Sequence, residues 1–201
     1  YSSSFRRLQQ KAQVFSLESN SSVRTRLTHS LEVSDLGRTL ANKIATKLYN
    51  KQLLSIRAVP EVVAIVENAC LIHDIGNPPF GHFGEAAIKD WANRYLKESL
   101  LPNLTTMDII DMPLFQKLYK DFLEFDGNPQ GFRIISKLHV EADKYSLNLT
   151  YATLLCSLKY SRSTDEEQGS GILKKAGYFQ TEKTLVDELY RTANMQLNHR
   201  Y

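Results

Sequence analysis

Thirteen residues, His73-Asp74-Ile75-Gly76-Asn77-Pro78-Pro79-Phe80-Gly81-His82-Phe83-Gly84-Glu85, hold two imidazoles and two carboxylates. Three glycines and two prolines stand among them, so backbone and side chains can crowd around one point. Neutral imidazole with carboxylate oxygen is a donor set for Mn, Fe, Ni, Co or Zn, and it leaves room for water. The chemistry implied is metal-centred hydrolysis. His82 and Glu85 lie three apart, which makes them neighbours on one side of a helix. A carboxylate bonded to one imidazole nitrogen fixes the tautomer and leaves the other nitrogen to trade a proton. Taken singly, each feature also has an ordinary explanation: neighbouring His and Asp often just hydrogen-bond, and a His-Glu pair is a common surface ion pair.

Helices must position these groups. The apolar run Val62 to Ile72, with Pro60 suited to a first turn and Gly76 to an end, predicts a buried helix over roughly 60–75. On a 3.6-residue period His73 shares a face with Ala69 and Val66, and Asp74 is rotated about 100° from it. A cation at the helix end can therefore touch both. Pro78-Pro79 forces a turn, and a new helix begins near His82 and runs to about Leu96, with Ile88, Trp91, Ala92 and Tyr95 inward. Upstream, Val33, Leu36, Leu40, Ile44 and Leu48 form an apolar stripe on a helix reaching about Tyr49, with Thr28 as its N-cap and His29 in its first turn.

Downstream, a helix is expected over about 113–124 (Phe115, Leu118, Tyr119, Phe122). The turn Phe125 to Gln130 follows, then a helix with Phe132, Ile135 and Leu138 inside. Further helices are expected over 147–158 and after Thr181, the last with Leu185, Leu189, Ala193 and Leu197 at a four-residue period. Residues 97–111 read as a connector, and 161–180 as a mobile loop whose polar centre is 163–171. No sustained alternation marks a strand, so the fold class is nearly all helical.

The 201 residues are 42% hydrophobic and 23% charged, as in a soluble globular protein. The net charge of +3 is too mild to imply nucleic acid unaided, but suits a local cationic pocket. No apolar run approaches the roughly 20 residues of a membrane span, and no signal peptide precedes the first motif. Cys70 and Cys156 each sit in an apolar helical pattern, which argues against a disulfide scaffold and suits the cytoplasm. The chain starts without methionine and stops just after a helix, so the expectation is a fragment of a longer protein.

Four stretches together resemble the HD superfamily of metal-dependent phosphohydrolases, whose ligands follow the order H…HD…D, and more narrowly its deoxyguanosine triphosphate triphosphohydrolase branch. They are Arg6 to Phe15, Arg24 to Val33, His73 to Glu85 and Phe125 to Gly131, in the family's order and approximate spacing. The similarity extends from about residue 5 to 201. It implies an all-α HD-domain helical bundle, incomplete at its C-terminal side, with residues 1–201 as the N-terminal portion of one domain.

The resemblance also implies roles. His29, His73 and Asp74 become metal ligands, and His82 the catalytic acid or base oriented by Glu85. Gln13 would contact the deoxyribose 3′-hydroxyl, since an amide donates and accepts at once. Asn128, Lys159 and Lys175 would bind the triphosphate; solvated lysines are the plain alternative. Glu124 stands where relatives have histidine. The cofactor is a divalent metal, Mg or Mn first, with Ni, Co, Fe or Zn also accommodated.

The implied reaction is metal-dependent hydrolysis of dGTP, or another dNTP, to deoxyguanosine and inorganic triphosphate. Single-stranded DNA and a homo-oligomer, a hexamer, are the implied partners, with no membrane. A further aspartate ligand is expected beyond residue 201, so the fragment alone should be inactive. Two alternatives stand beside this: an HD phosphohydrolase acting on other dNTPs, an alarmone or a cyclic nucleotide, and a non-catalytic module binding single-stranded nucleic acid. The reading rests on His29, His73 and Asp74 meeting at one ion with His82 in reach.

Overall fold

A computed structural model describes residues 2–12, 24–96, 98, 112–138 and 146–195. As expected, the fold is helical, relieved only by a short two-stranded parallel sheet among the described residues. Contacts within the chain group into two compact units, residues 1–75 with 134–157, and residues 76–133 with 158–201.

The first unit contains α1 (Ser3–Arg6), which runs into a 3₁₀ turn at Arg7–Gln10, then α2 (Arg26–Asn50) and α3 (Ala58–Ile72). It closes with a π-helical turn, Ile134–Leu138, and α7 (Tyr151–Ser157). Thr25, not Thr28, caps α2: its hydroxyl accepts the Thr28 N–H at 3.2 Å. The N-terminal segment is pinned alongside, with Arg26 N–H donating to the Lys11 carbonyl at 2.9 Å and Leu8 wholly buried.

Helices α2 and α3 form an antiparallel hairpin, and here the expected apolar stripe is corrected. Leu36, Leu40 and Ile44 are exposed, while Ser30, Ser34, Ala41 and Ala45 are buried. Small side chains let two helix axes approach closely. A Cβ on Gly37 would run into the Cys70 side chain, and Ser34 Oγ donates to the Glu67 carbonyl at 3.0 Å. Helix α3 starts two residues before the expected limit and ends at Ile72, leaving His73 as its C-cap residue. Helix α7 packs on α3 and is shorter than the 147–158 predicted.

The second unit holds α4 (His82–Trp91), continued by a π-helical turn at Ala92–Leu96, then α5 (Met112–Leu123) and α6 (Gly127–Arg133). Strands β1 (Arg162–Ser163) and β2 (Ala176–Tyr178) pair in parallel, and α8 (Lys183–Thr192) is the last described helix. Its core is Ala92, Leu96, Phe132, Ala176, Tyr178, Phe179, Val186 and Leu189. Trp91 and Tyr95, expected inward, are about half exposed, and Ala92 and Leu96 take the buried face.

The stretch expected as a mobile loop thus carries the sheet. Arg162, Ser163, Thr164, Ala176, Gly177 and Tyr178 are buried, and the exposed residues of the stretch are 167–172 and Lys174. Its strands are too short for alternation to register in the sequence. Buried Arg162 donates to Glu124 and to the carbonyls of Ser163 and Glu166, which gives Glu124 a structural ion pair. None of the described helices is long and apolar enough to cross a membrane.

Candidate functional site

The hairpin register decides which side chains meet. Counting from the Ser34–Glu67 contact toward the open end, His29 comes opposite His73 and Arg26 opposite Asp74. Residues 44 positions apart are thereby juxtaposed: the His29 and His73 rings lie edge to face with centroids 5.3 Å apart. One ligand atom from each of His29, His73 and Asp74 lies within 4.8 Å of the other two. These are the three residues the sequence marks as metal ligands.

The donor atoms suit a cation. The Nδ1–H of His73 donates to the Cys70 carbonyl at 2.8 Å, one of the last carbonyls of α3. In the neutral ring Nε2 then carries a lone pair, and it faces Asp74 Oδ1 at 3.3 Å. Two acceptors so close call for a proton or a metal ion between them. The negative end of the α3 dipole favours positive charge at the same place. The residues present therefore fit a divalent cation held by two imidazoles and a carboxylate.

Arg26 was not singled out by the sequence reading. It is buried, and its Nη1 donates to Asp74 Oδ2 at 3.0 Å, so one carboxylate oxygen is occupied by the guanidinium while Oδ1 faces His73 Nε2. A sequence signal existed: Arg26 lies one turn before His29 and so on a neighbouring face. Lys11 is also near. Burial, with Arg7 and Arg26 beside it, lowers the pKa of its ammonium, and Asp74 opposes that shift.

In the second unit His82 and Glu85 pair as the spacing predicts. His82 Nδ1–H donates to Glu85 Oε2 at 2.6 Å, and the second oxygen of Glu85 accepts the Gly127 N–H at 2.9 Å. Glu85 is buried while the His82 side chain is 86% exposed, so the ring is gripped at Nδ1 and its Nε2 is left to solvent. Gly81 opens α4 with φ 53° and ψ −126°, a conformation open to glycine. A Cβ on Gly127 would collide with Asn77 Oδ1 and crowd Glu85 Oε1, which explains glycine there.

Asn128 and Lys175 are brought together through Asp126, which the sequence reading passed over. Asp126 accepts from the Asn128 backbone N–H at 3.0 Å, from the Asn128 carboxamide, and from Lys175 Nζ at 2.6 Å. Burial pushes the Asp126 carboxyl up, but the Lys175 and Asn128 donors outweigh it and hold it below the usual carboxylate range. Burial likewise lowers Lys175, and the Asp126 hydrogen bond and charge, helped by Glu85, lift it above its ordinary value. Lys159 is exposed, its Nζ 5.5 Å from the centre of the Tyr160 ring. Gln13 lies outside the described residues.

A helical hairpin presenting His29 and the His73-Asp74 pair defines a class, and the HD domain family matches residues 26–118. Across its whole length the chain is 41% identical to a deoxyguanosinetriphosphate triphosphohydrolase-like protein of Listeria monocytogenes. It is also 38% identical to a deoxyguanosinetriphosphate triphosphohydrolase of Enterobacter sp. and 40% to one of Klebsiella pneumoniae, again over its whole length. It spans 43% of the length of each of these relatives. The chain thus pairs an HD-domain match with 38–41% identity, over its whole length, to deoxyguanosinetriphosphate triphosphohydrolases and proteins named as like them.

Proposed function

We propose that this chain carries the metal-binding and acid–base groups of a phosphohydrolase that cleaves dGTP, or another deoxynucleoside triphosphate, to the nucleoside and inorganic triphosphate. The observation that carries the reading is the convergence of His29, His73 and Asp74 within 4.8 Å. The names of the relatives support the substrate class. His29 and His73 would hold a divalent cation, Mg or Mn first, through ring nitrogens, and Asp74 through the oxygen that Arg26 leaves open. When bound, such a cation supplies a Lewis acid for a phosphate oxygen and lowers the pKa of a water.

Hydrolysis of this kind joins the oxygen of water to the α-phosphorus and breaks the bond to the 5′ oxygen, which must gain a proton. His82, held at Nδ1 by Glu85, has Nε2 to give or take that proton, and the carboxylate offsets charge on the ring. Lys159 and Lys175 bring compact positive charge to the triphosphate, and the Asn128 carboxamide brings N–H donors. Gln13 would read the 3′-hydroxyl. The same kinship extends the proposal to an oligomer that also binds single-stranded DNA.

The test is to incubate the full-length protein with each of the four dNTPs and Mg or Mn, and to identify the products. Deoxyguanosine with inorganic triphosphate is expected from dGTP, and His29→Ala should abolish it. Release of pyrophosphate or of a nucleoside monophosphate would sink the reading.

A further inference from the structure

Asp126 has no task in the function proposed above, yet both its oxygens are committed. It is 4% exposed and stands directly before α6. Oδ1 accepts from the backbone and the side chain of Asn128, and Oδ2 from Lys175, 49 residues further on. Its neighbour Gly127 donates to Glu85, which in turn holds His82. The turn Asp126-Gly127-Asn128 therefore touches the acid–base pair on one side, and on the other sets its own Asn128 carboxamide beside Lys175, which comes from a distant part of the chain.

We propose that Asp126 is a positioning residue for a polyphosphate: it sets the Asn128 carboxamide and the Lys175 ammonium in one fixed arrangement that meets phosphate oxygens together. This rests on the reading that Asn128 and Lys175 bind the triphosphate. The chemistry of the three groups supports it. A carboxamide has two N–H donors, and with one given to Asp126 its plane is set and the other is left for a phosphate oxygen. An ammonium has three, so two remain after the bond to Asp126.

A lysine on a four-carbon stem loses rotamer freedom when it closes on an anion. Anchoring it in advance removes much of that loss from the binding step. A purely structural Asx turn would account for the bond to the Asn128 backbone. It would not require the carboxamide of Asn128 or the partly exposed Lys175, whose side chain retains 34% exposure.

The test uses the full-length protein with three variants, Asp126→Asn, Asp126→Glu and Lys175→Ala. Steady-state kinetics with dGTP, or whichever dNTP it turns over, are read beside binding of inorganic triphosphate and thermal unfolding. Lys175→Ala reports on the phosphate reading itself, and should raise KM and the triphosphate Kd. Asp126→Asn should raise both by about ten- to a hundredfold, as expected for lost hydrogen bonds to charged groups, with kcat changed much less. In the Lys175→Ala background it should add less than it does alone.

Asp126→Glu keeps the charge one methylene further out and should lie between wild type and Asp126→Asn. It carries the comparison should the asparagine variant not fold. If Lys175→Ala weakens triphosphate binding while both Asp126 variants bind as wild type, the positioning role is overturned. It is equally overturned if the Asp126 variants lower kcat and thermal stability with KM intact. If Lys175→Ala itself leaves KM and triphosphate binding unchanged, the phosphate reading fails, and the positioning role with it.

Discussion

Glu85 is held at both ends: Oε2 takes the His82 Nδ1–H and Oε1 the Gly127 N–H, while the side chain is only 7% exposed. A carboxamide in its place has one accepting end. With its oxygen on His82, its NH₂ faces the Gly127 N–H, and a buried donor left unpaired costs about 1–3 kcal/mol. If the proposed hydrolysis holds, Glu85→Gln is therefore expected to lower kcat of the full-length protein by about 10²- to 10⁴-fold, the usual worth of a positioned acid or base. KM should change little. Steady-state kinetics check this, and an unchanged kcat would mean that His82 does not work through Glu85. The His82–Glu85 pair was legible in the sequence because three residues of helix bring two side chains together whatever the rest of the chain does. The Gly127 contact was not, nor the hold of Asp126 on Lys175, since nothing local relates partners 42 and 49 residues apart.

Helices α2 and α3 make the candidate metal ligands His29, His73 and Asp74 meet only while their axes stay close, and the small face of α2 permits that. Gly37, whose Cβ would already strike the Cys70 side chain, is a point of close approach on that face. A larger group there has to push the helices apart, and overpacking of this kind costs about 1–3 kcal/mol. Gly37→Leu is expected to lower Tm by about 2–4 °C per kcal/mol lost. It should also weaken Mn binding measured by calorimetry, because His29 is carried away from His73. Retained metal affinity at a lowered Tm would show that the hairpin spacing is not what assembles the ligands. The apolar period of the sequence puts the core face of α2 on Leu36, Leu40 and Ile44, which are exposed. Periodicity marks where apolar residues recur, but close helix packing selects for small volume, so the serine, glycine and alanine positions carried no visible signal.

For the molecule as a whole, a cation that binds only the folded chain shifts the folding equilibrium by mass action. At a free concentration a hundred times Kd it adds about 2.7 kcal/mol, about 5–10 °C in Tm for a chain of this length. Wild-type protein is expected to show that rise with Mn, and His29→Ala to lose it, in calorimetric scans with and without chelator. A Tm indifferent to both Mn and Mg would remove the metal from the reading. The helical class, the order of His29 and His73-Asp74, and the His82–Glu85 pair were all in the sequence, because each depends on local spacing and on motif order. Three things were not: the burial of Arg26 against Asp74, the sheet in the stretch expected as a mobile loop, and the use of Asp126 as a shared anchor. Each is a contact that local periodicity does not encode: Arg26 meets Asp74 and Asp126 meets Lys175 across more than forty residues, and the strands, two and three residues long, pair across an intervening loop, so volume and hydrogen-bond geometry settle these contacts only once the chain has packed.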